Sequence, residues 1–251
     1  MKYEPRFYRE QMGINRFRSF VTRYKDSDLW IGIDAESYLP EMENFARKEL
    51  EKIRTELENY LLVDPEYGRS LQPYSPREDA PGMAALLAKA GNRAGTGPIA
   101  AVAGAFSEYI GKALERQFSI REIAVENGGD IYLNLEKEMT LTIFAGNSPL
   151  SGKLGIHLPG NEFPLGICTS AGTVGPSLSF GRADAAMVIC KNTALADAWA
   201  TSLGNQISGP GVIEEVLKKT EEFEEIESVV MICNDRVGLR GKYELKIIRQ
   251  Q

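Results

Sequence analysis

One histidine, His157, is this chain's entire supply of the side chain best suited to proton transfer near neutral pH. It stands in the strand-like run Gly155-Ile156-His157-Leu158-Pro159, where a structural role fits better than that of a catalytic base. Cysteine is almost as scarce. Cys168, Cys190 and Cys233 are odd in number and widely spaced, which speaks against a disulfide framework or a zinc site and fits a reducing cytoplasm. No apolar run approaches the roughly 20 residues needed to cross a bilayer. The polar opening Met1-Lys2-Tyr3-Glu4-Pro5-Arg6 also lacks the apolar core of a secretory signal, so no membrane partner is expected. Positive charge is not in excess either: 29 Lys and Arg against 35 Asp and Glu leave a net charge of -6, which argues against nucleic acid as a partner. A phosphate ligand would therefore need local N–H groups, a metal ion or a few selected cations. No repeat of solenoid period is visible.

What is present is ordinary globular material. A chain of 251 residues, 43% hydrophobic, can bury a substantial core without staples, as one large domain or two intimately packed lobes. Phe17 to Lys25 and Leu29 to Ile33 read as strands around the polar turn Asp26-Ser27-Asp28. Phe45, Leu50, Ile53, Leu57 and Leu61 recur at helical spacing, with charged residues on the other faces. Pro65, Gly68, Pro73, Pro76, Pro81 and Gly82 make residues 63 to 82 a loop and candidate lid. It would join a peripheral lobe, about 1–80, to a motif-bearing lobe, about 81–251, of a single domain.

Beyond it, Met83 to Ala90 reads as a helix, Gly91 to Pro98 as a glycine-rich loop, and Ile99 to Phe118 as a long helix. The loop lacks the Lys-Ser/Thr ending of a P-loop, but it leads into a helix N-terminus, and Arg93 could partner a phosphate there. A plain connection with a surface arginine fits equally well. Strands follow at Ile123 to Val125, Ile131 to Leu135, Met139 to Phe144, Leu154 to His157 and Ala185 to Cys190. A helix from Asn192 or Thr193 to Gln206 comes next, then another from about Pro210 to Lys219. Val229 to Cys233 and Tyr243 to Ile248 complete the chain as a closing hairpin. Strands and helices do not alternate strictly, which favours an α+β fold with mixed or antiparallel sheets and packed helices.

Three short motifs carry chemistry. In Ala196-Asp197-Ala198-Trp199-Ala200-Thr201 a carboxylate and a hydroxyl stand four residues apart, on one helical face. Both supply oxygen, as a hard cation such as Mg²⁺ prefers. The same spacing suits a packing helix in which Thr201 bonds back to a carbonyl and Asp197 caps a turn. In Glu126-Asn127-Gly128-Gly129-Asp130 an apolar run breaks at residues that tolerate positive φ, a hairpin signal. Between the two lies Cys168-Thr169-Ser170-Ala171-Gly172-Thr173-Val174-Gly175, read as a small-residue loop able to bring N–H groups to an anion.

In this order the motifs, within roughly residues 97 to 207, resemble the ApbE-like family of FAD:protein FMN transferases, in a cytoplasmic prokaryotic branch. The resemblance implies an ApbE-like fold with FAD in a cleft and Mg²⁺ at its pyrophosphate. FMN would pass to a Thr or Ser of an acceptor protein, with release of AMP. By position, Asp197 and Thr201 would be the metal ligands. Asn127, Gly128, Gly129 and Asp130 would line the flavin site, and Thr169, Ser170 and Gly172 would approach the nucleotide. Two departures stand out. The family's Lys-Gly-x-x-x-Asp segment falls on Ala103-Gly104-Ala105-Phe106-Ser107-Glu108, and its His-x-x-Asp-Pro segment is replaced by Phe180-Gly181-Arg182-Ala183-Asp184-Ala185-Ala186. Asp130, Asp184 and Glu108 are the remaining candidates for a catalytic base. The expectation is an Mg²⁺-dependent FAD-binding protein, with FMN transfer in doubt. The alternatives are a non-catalytic flavin or nucleotide binder or sensor, and a small-molecule enzyme that has reused the cleft without flavin.

Overall fold

The computed structural model describes residues 16–172 and 180–248. Strands β1 (Phe17–Tyr24) and β2 (Ser27–Asp34) form the first hairpin, followed by the long helix α1 (Glu41–Val63). Met42, Ala46, Leu50, Ile53, Leu57 and Tyr60 form the buried stripe of α1, at the spacing the sequence displays. The stretch 63–82, expected as loop throughout, contains a short helix, α2 (Pro65–Arg69). Asp64 caps it by accepting the Tyr67 N–H, and Pro65 sits where its missing N–H costs nothing.

Helix α3 (Gly82–Ala94) runs on through Gly91-Asn92-Arg93-Ala94, so the expected glycine-rich loop shrinks to its last residues. Gly91 is there for room: a Cβ on it would lie 2.8 Å from the Gly97 carbonyl oxygen. A 3-10 turn at Pro98–Ala101 then opens helix α4 (Val102–Gln117). The later elements are β3 (Ile123–Asn127), β4 (Asp130–Asn134), β5 (Met139–Thr142), β6 (Leu154–Leu158), β7 (Leu165–Ser170) and β8 (Ala185–Cys190). They lead to α5 (Thr193–Gln206), α6 (Ile213–Lys219), β9 (Ser228–Cys233), β10 (Arg236–Gly241) and β11 (Glu244–Ile247).

Eight strands make one antiparallel sheet in the order β1-β2-β3-β4-β7-β8-β9-β10, and β11-β6-β5 make a second. The fold is α+β. The segment expected as a peripheral lobe contributes β1 and β2 to the same sheet as the motif strands, and α1 packs on α4. Helices cover one face of the large sheet and the three-stranded sheet covers the other. Ala186 and Val188 of β8 therefore join the helical core, while Met187 and Ile189 join the core between the sheets. Burial on both faces explains why these strands read as unbroken apolar runs.

Strand assignments differ from expectation at three places. Of the turn Asp26-Ser27-Asp28, Ser27 and Asp28 already belong to β2, paired with Tyr24 and Arg23. Cys168-Thr169-Ser170, read as loop, are the end of β7: Cys168 pairs with both β4 and β8, and Thr169 and Ser170 pair with β8. The chain end also closes differently. The partner of β9 is β10, an edge strand weak in strand formers, and β11 crosses to pair with β6.

Candidate functional site

Helices α4 and α5 meet through a glycine. A Cβ on Gly104 would lie 2.5 Å from the Thr193 carbonyl oxygen and 2.9 Å from Asp197 Cβ, so only a bare backbone fits. At this contact each helix caps the other. Asp197 of α5 accepts the Gly104 N–H at 2.8 Å and also the Ala103 N–H. Glu108 of α4 accepts the Thr193 N–H at 2.7 Å and Asn192 Nδ2 at 3.0 Å, and pairs with Lys112 at 2.5 Å. Both carboxylates thus meet N–H groups that helix geometry leaves without intrahelical partners.

The β3–β4 hairpin reaches the same place. Gly128 (φ 71°) and Gly129 (φ 104°) form its two-residue turn, a conformation that side chains beyond Cα disfavour. Glu126, missed as a participant, is fully buried and accepts the Gly129 N–H at 2.9 Å. Asn127 Nδ2 donates to the Ala103 carbonyl at 3.3 Å, and Ser107 Oγ to the Asp130 carbonyl at 2.9 Å. Antiparallel register sets Cys168 of β7 opposite Asp130, whose carboxylate accepts the Thr169 N–H, while the Cys168 thiol donates to the Thr193 carbonyl at 3.4 Å. The three motifs, far apart in sequence, converge here.

Asn127, Asp130, Asp197 and Thr201 line a cleft of about 470 Å³. The other candidates support it or lie elsewhere. Gly128 and Gly129 shape the turn without lining the cleft, and Thr169 and Ser170 close β7 beside it. The Gly172 N–H donates to the Ala183 carbonyl at 2.8 Å, while Thr173, Val174 and Gly175 fall outside the described residues. Asp184 accepts the Asn234 N–H at 2.7 Å and, like Glu108, does not line the cleft. Arg93, considered for phosphate, is held by both oxygens of Glu225 at 2.6 and 3.0 Å. His157 lies in the second sheet, with Thr140 at 3.4 Å and Glu138 at 3.7 Å.

Burial pushes the Asp130 carboxyl well above the carboxylate range, with Asp197 beside it adding to the shift. Burial also pushes Asp197 up to about 7, partly opposed by the two N–H donors. The cation that lines the cleft, Arg54, is already engaged by Glu58 at 2.8 Å and Asp26 at 3.3 Å. Among the described residues no group of three or more His, Cys, Asp and Glu is arranged for a metal. Two carboxylates and the Thr201 hydroxyl nevertheless form a hard-oxygen set of the kind that takes Mg²⁺ when a ligand's phosphates complete the shell. Sequence reasoning also missed Thr96. It lines the cleft, and its buried Oγ1 has no hydrogen-bond partner among the described residues. Nothing in Gly95-Thr96-Gly97 distinguishes that hydroxyl from one in an ordinary turn.

No helix among the described residues is long and apolar enough to cross a membrane. A family model described as "AbpE bacteria" matches residues 9–234. A UPF0280 protein of Methanocaldococcus jannaschii is 37% identical over 223 residues, covering 87% of this chain and 88% of that one. Another, of Methanosarcina acetivorans, is 38% identical over 198 residues, 78% of each chain. Among solved structures, the apo form of Pseudomonas stutzeri flavinyl transferase ApbE is similar with a TM-score of 0.56 at 15% identity, over 90% of this chain and 94% of that one. A variant of flavin transferase ApbE from Vibrio cholerae is similar with a TM-score of 0.52 at 14% identity, over 89% and 96%. At such identities the likeness is one of fold.

Proposed function

We propose, from the premise that this chain belongs to the AbpE bacteria family within the ApbE-like superfamily, that its cleft binds a flavin nucleotide, FAD, together with Mg²⁺. The observation that carries the reading is the pair of buried acids, Asp130 and Asp197, set side by side in a cleft with no uncommitted cation among its described lining residues. Two neighbouring buried carboxylates ionise together only when a positive charge joins them. Asp197 and Thr201 would hold the metal, and Asp130 would stand close enough to share its field. Bound Mg²⁺ supplies charge neutralisation for a pyrophosphate. Asn127, tied to the Ala103 carbonyl, keeps the hairpin against the start of α4, so that the floor of the cleft is ordered before ligand arrives.

FMN transfer to a Thr or Ser of an acceptor protein needs a group to take the hydroxyl proton. Of the three acids considered, Asp130 alone lines the cleft; Glu108 caps α5 and Asp184 holds the β9–β10 turn. The segment that replaces His-x-x-Asp-Pro therefore brings no acid to the ligand through Asp184. That observation favours a second reading, nucleotide binding with little or no transfer.

Calorimetric titration with FAD, with and without Mg²⁺, tests the first reading. Binding should depend on Mg²⁺, and Asp197→Asn, which keeps an oxygen for the Gly104 N–H, should remove that dependence while the protein still unfolds cooperatively. No affinity for FAD in the presence of Mg²⁺ would overturn it. AMP release from FAD with a Thr-bearing acceptor peptide decides between transfer and binding alone.

A further inference from the structure

The cleft is lined by the buried acids Asp130 and Asp197, each 8% exposed, and by exposed side chains that are both charged, such as Asp26, and apolar. Among the large apolar side chains left exposed, two, Phe180 (67%) and Leu71 (54%), line this cleft together. Both ride on backbone that is fixed in place. Helix α5 presents Asp197, Thr201 and Asn205 to the cleft at successive i, i+4 steps, and Asn205 Oδ1 accepts the Phe180 N–H at 2.8 Å. The next residue, Gly181, lies so tightly on the last turn of α5 that a Cβ there would be 1.9 Å from the Gly204 carbonyl oxygen. On the other side, the Ser70 carbonyl before Leu71 packs on Gly97, where a Cβ would approach it to 1.8 Å. An aromatic ring kept in water on an anchored backbone is a cost to the empty protein that ligand contact would offset.

We propose that Phe180, with Leu71 as an aliphatic wall, receives a planar aromatic ring of the nucleotide while its phosphates lie toward Asp197 and Thr201. The inference rests on the reading of the cleft as a nucleotide site and adds the residue that selects for the ring. Asn205 is a positioning residue, acting through the Phe180 backbone. The segment that departs from the family's His-x-x-Asp-Pro pattern thus supplies the cleft with an apolar contact in place of a proton-transfer group.

The experiment is calorimetric titration of wild type, Phe180→Ala, Phe180→Trp and Leu71→Ala with FAD, FMN and ADP, each with Mg²⁺. Stacking on an aromatic side chain corresponds to about a tenfold change in affinity. Phe180→Ala should weaken FAD by about that factor with no change in the melting temperature of the ligand-free protein, because the ring is mostly exposed. Phe180→Trp should keep the affinity, and its indole fluorescence should be quenched by added FAD. A parallel loss for FMN but not ADP assigns the ring as isoalloxazine, and the reverse assigns it as adenine. Wild type and Phe180→Ala binding FAD equally would overturn the inference and leave the FAD reading standing. Phe180-dependent binding of ADP with no FAD affinity would do the opposite. Binding of none of the three by wild type would overturn both.

Discussion

Glu108→Ala tests whether this acid is a reacting group or part of the frame. Its carboxylate is 6% exposed and accepts the N–H of Thr193, a residue with no exposed surface. Deleting it strands a buried donor at the start of α5, which costs about 1–3 kcal/mol, and removes a negative charge from a helix N-terminus, worth about 0.3–1 kcal/mol. The ion pair to Lys112 adds little, because the lysine side chain is 47% exposed. The expected loss is about 3 kcal/mol, or about 6–12 °C in melting temperature for a domain of this size. Glu108→Gln keeps an acceptor oxygen and should lose only about 1 kcal/mol. Urea unfolding followed by circular dichroism measures both, and the slope with denaturant should be unchanged. Affinity for FAD should persist where the variant is folded. Wild-type stability in Glu108→Ala, together with lost turnover, would refute the capping argument and restore Glu108 as a catalytic candidate.

Gly104→Ala should destabilise by about 2 kcal/mol or more, because its methyl would meet the Thr193 carbonyl at 2.5 Å, where backbone cannot yield cheaply; a melting temperature equal to wild type would contradict the helix contact. Asp130 and Asp197 both have raised pKa values in the folded chain. From the ordinary carboxylate value, about pH 4, up to about pH 7 for Asp197, the native state therefore holds more protons than the unfolded one, and stability falls as pH rises. Asp130→Asn should accordingly melt higher than wild type at pH 8 without metal, the gap closing toward pH 4 and on adding Mg²⁺. A gap that ignores pH would show that these acids are not the titrating groups.

The local signals that read correctly are those whose cause is local. The apolar stripe of α1, the start of α5 at Thr193, where Asn192 Oδ1 accepts the Leu195 N–H at 2.8 Å, and the Gly128-Gly129 turn each depend on residues a few positions apart. Resemblance in motif order was enough to bring Asn127, Asp130, Asp197 and Thr201 forward, and these four line one cleft. Reading failed where a residue's state is decided by a distant partner. Cys168-Thr169-Ser170 looks like a polar loop and becomes strand because β8 pairs with all three residues and β4 with Cys168. Arg93 looks available to a phosphate until Glu225 takes it.

By itself, then, the chain's order of residues determined its helices, its tight turn, its α+β class and the identity of the acids at the cleft floor. Tertiary structure alone decided which acids were available to a ligand. All four accept backbone N–H groups, but Glu108 and Asp184 do so away from the cleft, at residues 193 and 234, whereas Asp130 and Asp197 do so side by side in its lining. It also left Phe180 exposed at the mouth while comparable rings went into the core. The reason is physical: helix and turn preferences act over a few residues, but burial, charge proximity and hydrogen-bond supply are properties of whatever the folded chain places alongside.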